Sequence, residues 1–77
     1  MEHASEELRA HLMATSEEFR QLASQHAELD RQLDAIEAKA HVTEADEVEE
    51  HRIKKQKLRL KDQMNEIVAR YKAQHVA

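Results

Sequence analysis

Residues 8–40 read LRAHLMATSEEFRQLASQHAELDRQLDAIEAKA, and this stretch decides the fold. Ten positions in it recur at alternating steps of four and three residues, and seven of them carry a large apolar side chain. They are Leu8, Leu12, Thr15, Phe19, Leu22, His26, Leu29, Leu33, Ile36 and Ala40. A mean spacing near 3.5 residues keeps one stripe of a helix against a partner helix, so the pattern predicts a coiled-coil seam.

A second seam with the same spacing follows in the other half of the chain. Its positions are Ile53, Lys57, Leu60, Met64, Ile67 and Tyr71. Between the seams the apolar pattern lapses, and Thr43-Glu44-Ala45-Asp46 is typical of a helix start because the hydroxyl can accept a backbone N–H three residues later. We therefore predict a turn between Lys39 and Thr43. Two long helices joined by so short a connection must run antiparallel.

This turn also predicts the register of the two seams. Facing residues should have numbers that sum to about 86, because each step forward along one helix is a step back along the other. The predicted pairs are Leu33 with Ile53, Leu22 with Met64 and Phe19 with Ile67, and His26 should lie near Leu60.

The start of the first long helix is marked by hydroxyl side chains followed by acids. Thr15-x-x-Glu18 fits a capping box, and Ser5 precedes Glu6 and Glu7 in the same manner. We predict a short helix over about 6–14, a kink near Ser16, and long helices over about 17–40 and 44–75. One continuous helix through Ser16 is the alternative, because no Pro or Gly forces a break.

The composition agrees with an all-α fold. The 77 residues include no Gly, no Pro and no Cys, with one Phe and one Tyr, whereas strands favour aromatic residues and hairpin turns favour Gly or Asn. The absence of Cys excludes disulfides and cysteine-based metal sites. We predict a single domain over residues 1–77, an antiparallel two-helix coiled-coil hairpin with a short N-terminal helical segment.

The distribution of charge and hydropathy bears on location. No stretch approaches the roughly 20 apolar residues of a membrane span. The first residues are acidic and lack the apolar core of a signal peptide. We expect a cytoplasmic protein with no membrane partner, and a net charge of −4 argues against a dedicated nucleic-acid binder.

Six histidines are the residues most suited to metal or acid–base chemistry. Four His–acid pairs have i, i+4 spacing, namely His3 with Glu7, Glu7 with His11, Glu37 with His41 and Glu47 with His51. The same spacing is that of ordinary surface ion pairs, and no HExxH motif is present. We predict no metal, no cofactor and no catalytic residue, hence no enzyme. His26 differs because it lies on the seam, where Asp30 could hold its ring and the pair could fix the register.

The segment from Arg52 to Lys61 is strongly basic, with six cations among ten residues and no acid. Its possible partner or nucleic-acid surface comprises Lys54, Lys55, Lys57, Arg59 and Lys61. Phosphate binding is one interpretation. The alternative is neutralisation within the hairpin, because Glu28, Asp30, Asp34 and Glu37 should lie near this stretch.

Two motifs resemble a known family. The residues His26-Ala27-Glu28-Leu29-Asp30, followed by Lys54-Lys55-Gln56-Lys57-Leu58-Arg59-Leu60-Lys61-Asp62, are similar to the pattern of the YdcH-like bacterial proteins. That pattern is His-x-x-Leu-Asp and then Lys-Lys-x-Lys-Leu-x-Leu-Lys-Asp. The resemblance covers almost the whole chain, although Ser16-Glu17 stands where typical members have an Asn-Pro-like helix start. It implies a short helical protein of unknown function with no known catalytic residues.

The sequence thus predicts a non-catalytic interaction module that pairs with itself, as a dimer of hairpins or a higher even oligomer, and with an unidentified protein partner. Four apolar residues lie off the seams, and a lone hairpin would leave most of them in water: Leu58, Val68, Met13 and Val48. A nucleic-acid-associated protein that uses the basic segment is the alternative, and a metal-binding protein that uses surface histidines ranks third.

Overall fold

A computed structural model describes residues 6–75. These residues form three α-helices and no strand: α1 (Glu6–Thr15), α2 (Glu17–Glu37) and α3 (Glu44–Gln74). The two long helices pack along each other as an antiparallel hairpin, and α1 folds against one end of it. The predicted all-α hairpin with a short N-terminal helix is confirmed.

Apolar contacts and ion pairs indicate the same register of α2 on α3. Phe19 and Leu22 share one apolar cluster with Met64 and Ile67. Three ion pairs between the two halves of the hairpin also join residues whose numbers sum to about 86. These are Asp30 with Lys57, Glu18 with Arg70 and Lys39 with Asp46.

The helix break at Ser16 is present, and its geometry differs in one detail from the prediction. Ser16 has extended backbone angles, and its side chain accepts a hydrogen bond from the Phe19 N–H at 3.1 Å. Ser16 is therefore the N-cap of α2. The predicted capping box that starts at Thr15 is wrong, because the Thr15 hydroxyl donates to the His11 carbonyl and completes α1. Ser5, the other predicted cap, lies outside the described residues.

Arg20 stabilises the break from the α2 side. Its guanidinium donates to the Met13 carbonyl at 2.8 Å and also pairs with Glu17. The last turn of α1 contains no basic residue of its own. Because carbonyls at a helix C-terminus lack intrahelical partners, Arg20 satisfies one of them and holds α1 at its angle to α2.

The connection between the long helices is longer than predicted. α2 ends at Glu37 rather than near residue 40, where the Ala38 N–H donates to the Asp34 carbonyl and the Lys39 N–H donates to the Ile36 carbonyl. Thr43 begins α3 with a full capping box, as predicted, in which the Thr43 hydroxyl and the Asp46 carboxylate each accept the other residue's N–H. Lys39, which follows the end of α2, reaches across the turn to Asp46 at 2.8 Å.

The apolar core is concentrated where α1 crosses the open end of the hairpin. Leu12 of α1 packs into a buried cluster with Phe19, Met64, Ile67 and Val68. Of the four apolar residues predicted to lie mostly in water, Val68 is buried, because it packs in the cluster that Leu12 of α1 completes and is only 4% accessible. The three other predicted residues are exposed: Leu58 at 61%, Val48 at 68% and Met13 at 39%.

The capping box gives a pH-dependent prediction. The hydrogen bond from Lys39, together with that from the Thr43 N–H, lowers the pKa of Asp46 from 3.8 to about 2. A depressed pKa stabilises the fold above the ordinary value of 3.8, and this stabilisation is lost as the pH falls through about 2. We expect Asp46→Asn to lower the free energy of unfolding at neutral pH and to match the parent protein near pH 2.

Urea titrations of both proteins between pH 2 and 7 measure this difference. Glu44→Gln is the matched control, since it removes a first-turn carboxylate that lies outside the capping box. A difference between Asp46→Asn and the parent protein that stays constant across the pH range would contradict the assignment.

Candidate interaction surface

The middle of the hairpin is packed less completely than its ends. Phe19 and Leu33 are buried on α2, and Ile53 and Met64 are buried on α3, but no side chain between either pair is fully buried. Two seam positions in this interval are polar, namely His26 and Lys57 on facing helices. Burial of a polar or charged side chain costs free energy, so these two side chains keep their polar atoms in water and do not fill the seam as apolar side chains would. The interval between the helices therefore stays open.

A groove of about 670 Å³ lies in this open interval. Half-buried Leu29 and Leu60 form its apolar part. The remaining lining is polar and comes from both long helices: Ser24, Gln25, Glu28, Arg31, Gln56, Arg59 and Gln63. Apolar centres with polar surroundings are the usual anatomy of protein–protein contacts.

The two charges of α2 at the groove pair with each other. Arg31 forms an ion pair with Glu28 one turn away, and Gln32 adds a hydrogen bond to the same carboxylate at 3.4 Å. The hydrogen bond from Arg31 is the main cause that lowers the pKa of Glu28. Across the groove on α3, Arg59 pairs with no carboxylate of the described residues.

The predicted pair on the seam is part of a bridge between helices. His26 Nδ1 lies 3.6 Å from Asp30 Oδ2, and Lys57 of α3 pairs with the other oxygen of the same carboxylate. The hydrogen bond from Lys57 is the largest cause that lowers the pKa of Asp30. The His26–Asp30 distance exceeds hydrogen-bond length, so the Lys57 contact is the one that ties the two helices together.

The five predicted cations of the basic segment do not form one surface. Lys54, Lys57 and Lys61 recur at steps of three and four and share a helix face, whereas Arg59 lines the groove. Lys54 pairs with Glu50 at 3.7 Å and Lys57 with Asp30. Within residues 6–75, the other three have no carboxylate partner: Lys55, Arg59 and Lys61.

The expected neutralisation of this segment by the first long helix is therefore largely wrong. Of the four acids expected to supply it, Asp30 alone pairs with the basic segment, through Lys57. Glu28 is held by Arg31 of its own helix and makes no ion pair with α3 of the same chain. Half of the basic charge in the segment is left for solvent or for a partner.

The histidines do not gather into a site in the part of the chain that the structure describes. No group of three His, Cys, Asp or Glu side chains there could hold a metal ion. His3 lies outside the described residues. Sequence reasoning missed the ring contacts of Tyr71, which stacks on His75 at a centroid distance of 3.9 Å and meets the tilted ring of His11 at 5.3 Å. These contacts join α1 to the end of α3, and the i, i+4 spacing of Tyr71 and His75 could have revealed one of them.

The groove residues were also missed as a set. Gln25, Gln56 and Gln63 carry neither charge nor motif, so each is unremarkable by itself. Their position in the sequence could have indicated the groove, since each lies one helical turn from a seam leucine in the interval where the seam becomes polar.

No helix within residues 6–75 is long and apolar enough to span a bilayer.

A comparison with family models gives one match. The model described as "Protein of unknown function (DUF465)" matches residues 19–68, which include the groove, the His26–Asp30 pair and the basic segment. This family is the YdcH-like family, so the resemblance inferred from the two motifs is confirmed. No curated protein and no solved structure matches the chain significantly.

Replacement of His26 tests whether it has a structural role. We expect His26→Leu to keep the helical hairpin and to raise the free energy of unfolding by about 1 kcal/mol, because the position is half-buried and full burial of Leu is worth roughly 1.5–3 kcal/mol. Circular dichroism during urea unfolding measures this. His51→Leu, at an exposed position of α3, is the control and should change stability by less than about 0.5 kcal/mol. Loss of helix in His26→Leu alone would contradict the assignment.

Proposed function

We propose that this chain, which belongs to the DUF465 family of proteins of unknown function, is a non-catalytic interaction module that self-associates through the groove between α2 and α3. The observation that carries the proposal is the open middle of the hairpin. There the seam leucines Leu29 and Leu60 stay half-buried, although buried seam residues flank them on both sides, namely Phe19 and Leu33 on α2 and Ile53 and Met64 on α3.

The size of the core supports association. Seven apolar side chains are buried in the described part of the chain, and most lie at the end that α1 covers. Small domains bury a low fraction of their surface and often gain stability from oligomerisation. A second hairpin placed over the groove would cover Leu29 and Leu60 and extend the packed core through the middle, as in a four-helix bundle.

The chemistry of the lining supports a binding rather than a catalytic role. Glu28 is the carboxylate of the groove, and its pKa is lowered by Arg31, so it stays ionised at neutral pH. A general acid or base needs a pKa near the working pH. The other polar groups of the groove are mainly glutamine amides, which suit hydrogen bonds to a partner surface.

A pair of leucine variants tests self-association. Leu29 and Leu22 are both half-buried on α2 and seven residues apart, but Leu22 packs on the apolar cluster whereas Leu29 lines the groove. We expect both Ala variants to be less stable, and Leu29→Ala alone to weaken dimerisation about tenfold, because groove contacts between copies lose about 1.4 kcal/mol.

Sedimentation equilibrium over a concentration series measures the dissociation constants. The parent protein should approach twice the 9.0 kDa of one chain as its concentration rises. Leu22→Ala should lower the melting temperature and leave the dissociation constant within a factor of about two. A parent protein that stays at 9.0 kDa at every concentration would overturn the proposal.

Nucleic-acid binding is the second candidate function, because Lys55, Arg59 and Lys61 have no carboxylate partner among the described residues. Against it stand the net charge of −4 and the spread of the cations over more than one helix face. Under the first candidate function, Arg59 belongs to the self-association groove, whereas Lys55 and Lys61 are ordinary solvated side chains.

A titration of labelled duplex DNA at about 0.15 M salt separates the two candidates, because surface charges are screened beyond about 8 Å at that ionic strength. We expect no submicromolar binding. Binding of that strength, if it weakens steeply with added salt and is lost in the Lys55→Gln, Lys61→Gln double variant, would favour the nucleic-acid role. That double variant leaves the groove lining unchanged.

A further inference from the structure

We propose that the two hairpins of the dimer are related by a two-fold axis parallel to their long helices, so that α2 of one copy lies on α3 of the other and Glu28 of each copy pairs with Arg59 of its partner. This inference rests on the proposed function and deepens it, because it names the partner surface. It follows from the symmetry of the contact and from where the groove places its charges.

When the helices of two hairpins are aligned, two kinds of two-fold axis bring the same groove of both copies face to face. An axis perpendicular to the helices reverses the direction of each helix at the interface and places α2 on α2 and α3 on α3. An axis parallel to the helices keeps each residue at its level along the hairpin and places α2 on α3. The charges of the groove distinguish these two arrangements.

A perpendicular axis places like charges together. The groove extends from Ser24 to Arg31 on α2 and from Gln56 to Gln63 on α3, so Glu28 and Arg59 lie close to its centre on their own helices. Rotation about an axis through that centre brings Glu28 opposite its own copy, and Arg59 likewise. Like charges directly opposed across an interface disfavour association.

A parallel axis places opposite charges together. The numbers of Glu28 and Arg59 sum to about 86, as do those of the ion pairs that define the hairpin register, so the two side chains lie at one level. Because the rotation preserves that level, Glu28 of one copy meets Arg59 of the other, and the symmetry makes the contact twice. Arg59 has no intrachain carboxylate among the described residues, so it is available for this contact.

The charges of whole helices favour the same arrangement. α2 contains six carboxylates and two cations, a net of −4, whereas α3 contains seven carboxylates and eight cations, a net of +1. Contact of α2 with α3 of another copy therefore brings opposite net charges together, and contact of α2 with α2 does not. At the groove, the amides of Gln25 and Gln63 then also lie at nearly one level.

Charge-reversed single variants test the arrangement. In α2-on-α3 contact, Glu28→Arg alone and Arg59→Glu alone each oppose like charges twice per dimer, and we expect each dissociation constant to rise by about tenfold or more. An equimolar mixture of the two variants should form a heterodimer of parental affinity. At one contact the two substituted side chains then meet as an arginine and a glutamate, and at the other contact the unchanged Glu28 meets the unchanged Arg59. Sedimentation equilibrium of each variant and of the mixture measures the dissociation constants of these dimers.

Two matched controls distinguish an effect at the groove from a general effect of changing a surface charge. Glu17→Arg breaks an ion pair with Arg20 of the same i, i+3 kind that Glu28 makes with Arg31, but outside the groove. Lys61→Glu reverses an unpaired cation of α3 outside the groove. Both controls should dimerise within a factor of about two of the parent protein.

The outcomes distinguish the arrangement from the proposed function. A parent dimer that both single variants leave intact would overturn the α2-on-α3 arrangement while self-association stands. A parent protein that remains monomeric would overturn self-association itself and leave the groove to a different partner. The arrangement would also be overturned if each single variant dimerised weakly and the equimolar mixture did not regain the parental affinity. The loss of affinity would then arise from a change within each chain.

Discussion

Residues 38–43 are all that separates α2 from α3, and so short a connection leaves one antiparallel register in which both seams can meet. The capping box at Thr43 and the contact of Lys39 with Asp46 fix the level at which α3 starts. Every later pairing follows from that level, because both helices are regular and rise equally per residue. The apolar cluster, the Asp30–Lys57 bridge and the groove are all consequences of one register.

The same register divides the hairpin into regions with different roles. At the open end, α1 adds Leu12 to the seam residues and completes a small core. In the middle, the polar seam residues His26 and Lys57 interrupt the apolar packing, and Asp30 joins them across the two helices. A polar group on a coiled-coil seam lowers stability but specifies register. Because the polar seam residues do not fill the middle of the hairpin, the groove beside them stays uncovered, and a second copy would cover it.

Much of the fold could be predicted because heptad spacing and capping residues are local properties. The two seams and the Thr43 capping box gave the helices and the register. The burial of Val68 could not be predicted, because it depends on the angle at which α1 returns over the hairpin, and Arg20 helps to set that angle through a contact seven residues back. The ion pairing of Glu28 was missed for a similar reason, since Arg31 on its own helix competes with every cation across the seam. The groove itself depends on which seam positions stay half-buried, and residue types alone do not show this.

The hairpin register within one chain is the central claim, and pulsed electron paramagnetic resonance tests it most directly. Spin labels at the exposed positions Gln21 and Glu66, in protein diluted with unlabelled chain, report the intrachain distance alone. The hairpin brings these positions to nearly one level, and helix axes in contact lie about 8–10 Å apart, so the distance should be about 20 Å or less. A distance near 65 Å, which about 1.5 Å of rise per residue gives for a continuous rod or for hairpins that exchange helices, would contradict the account.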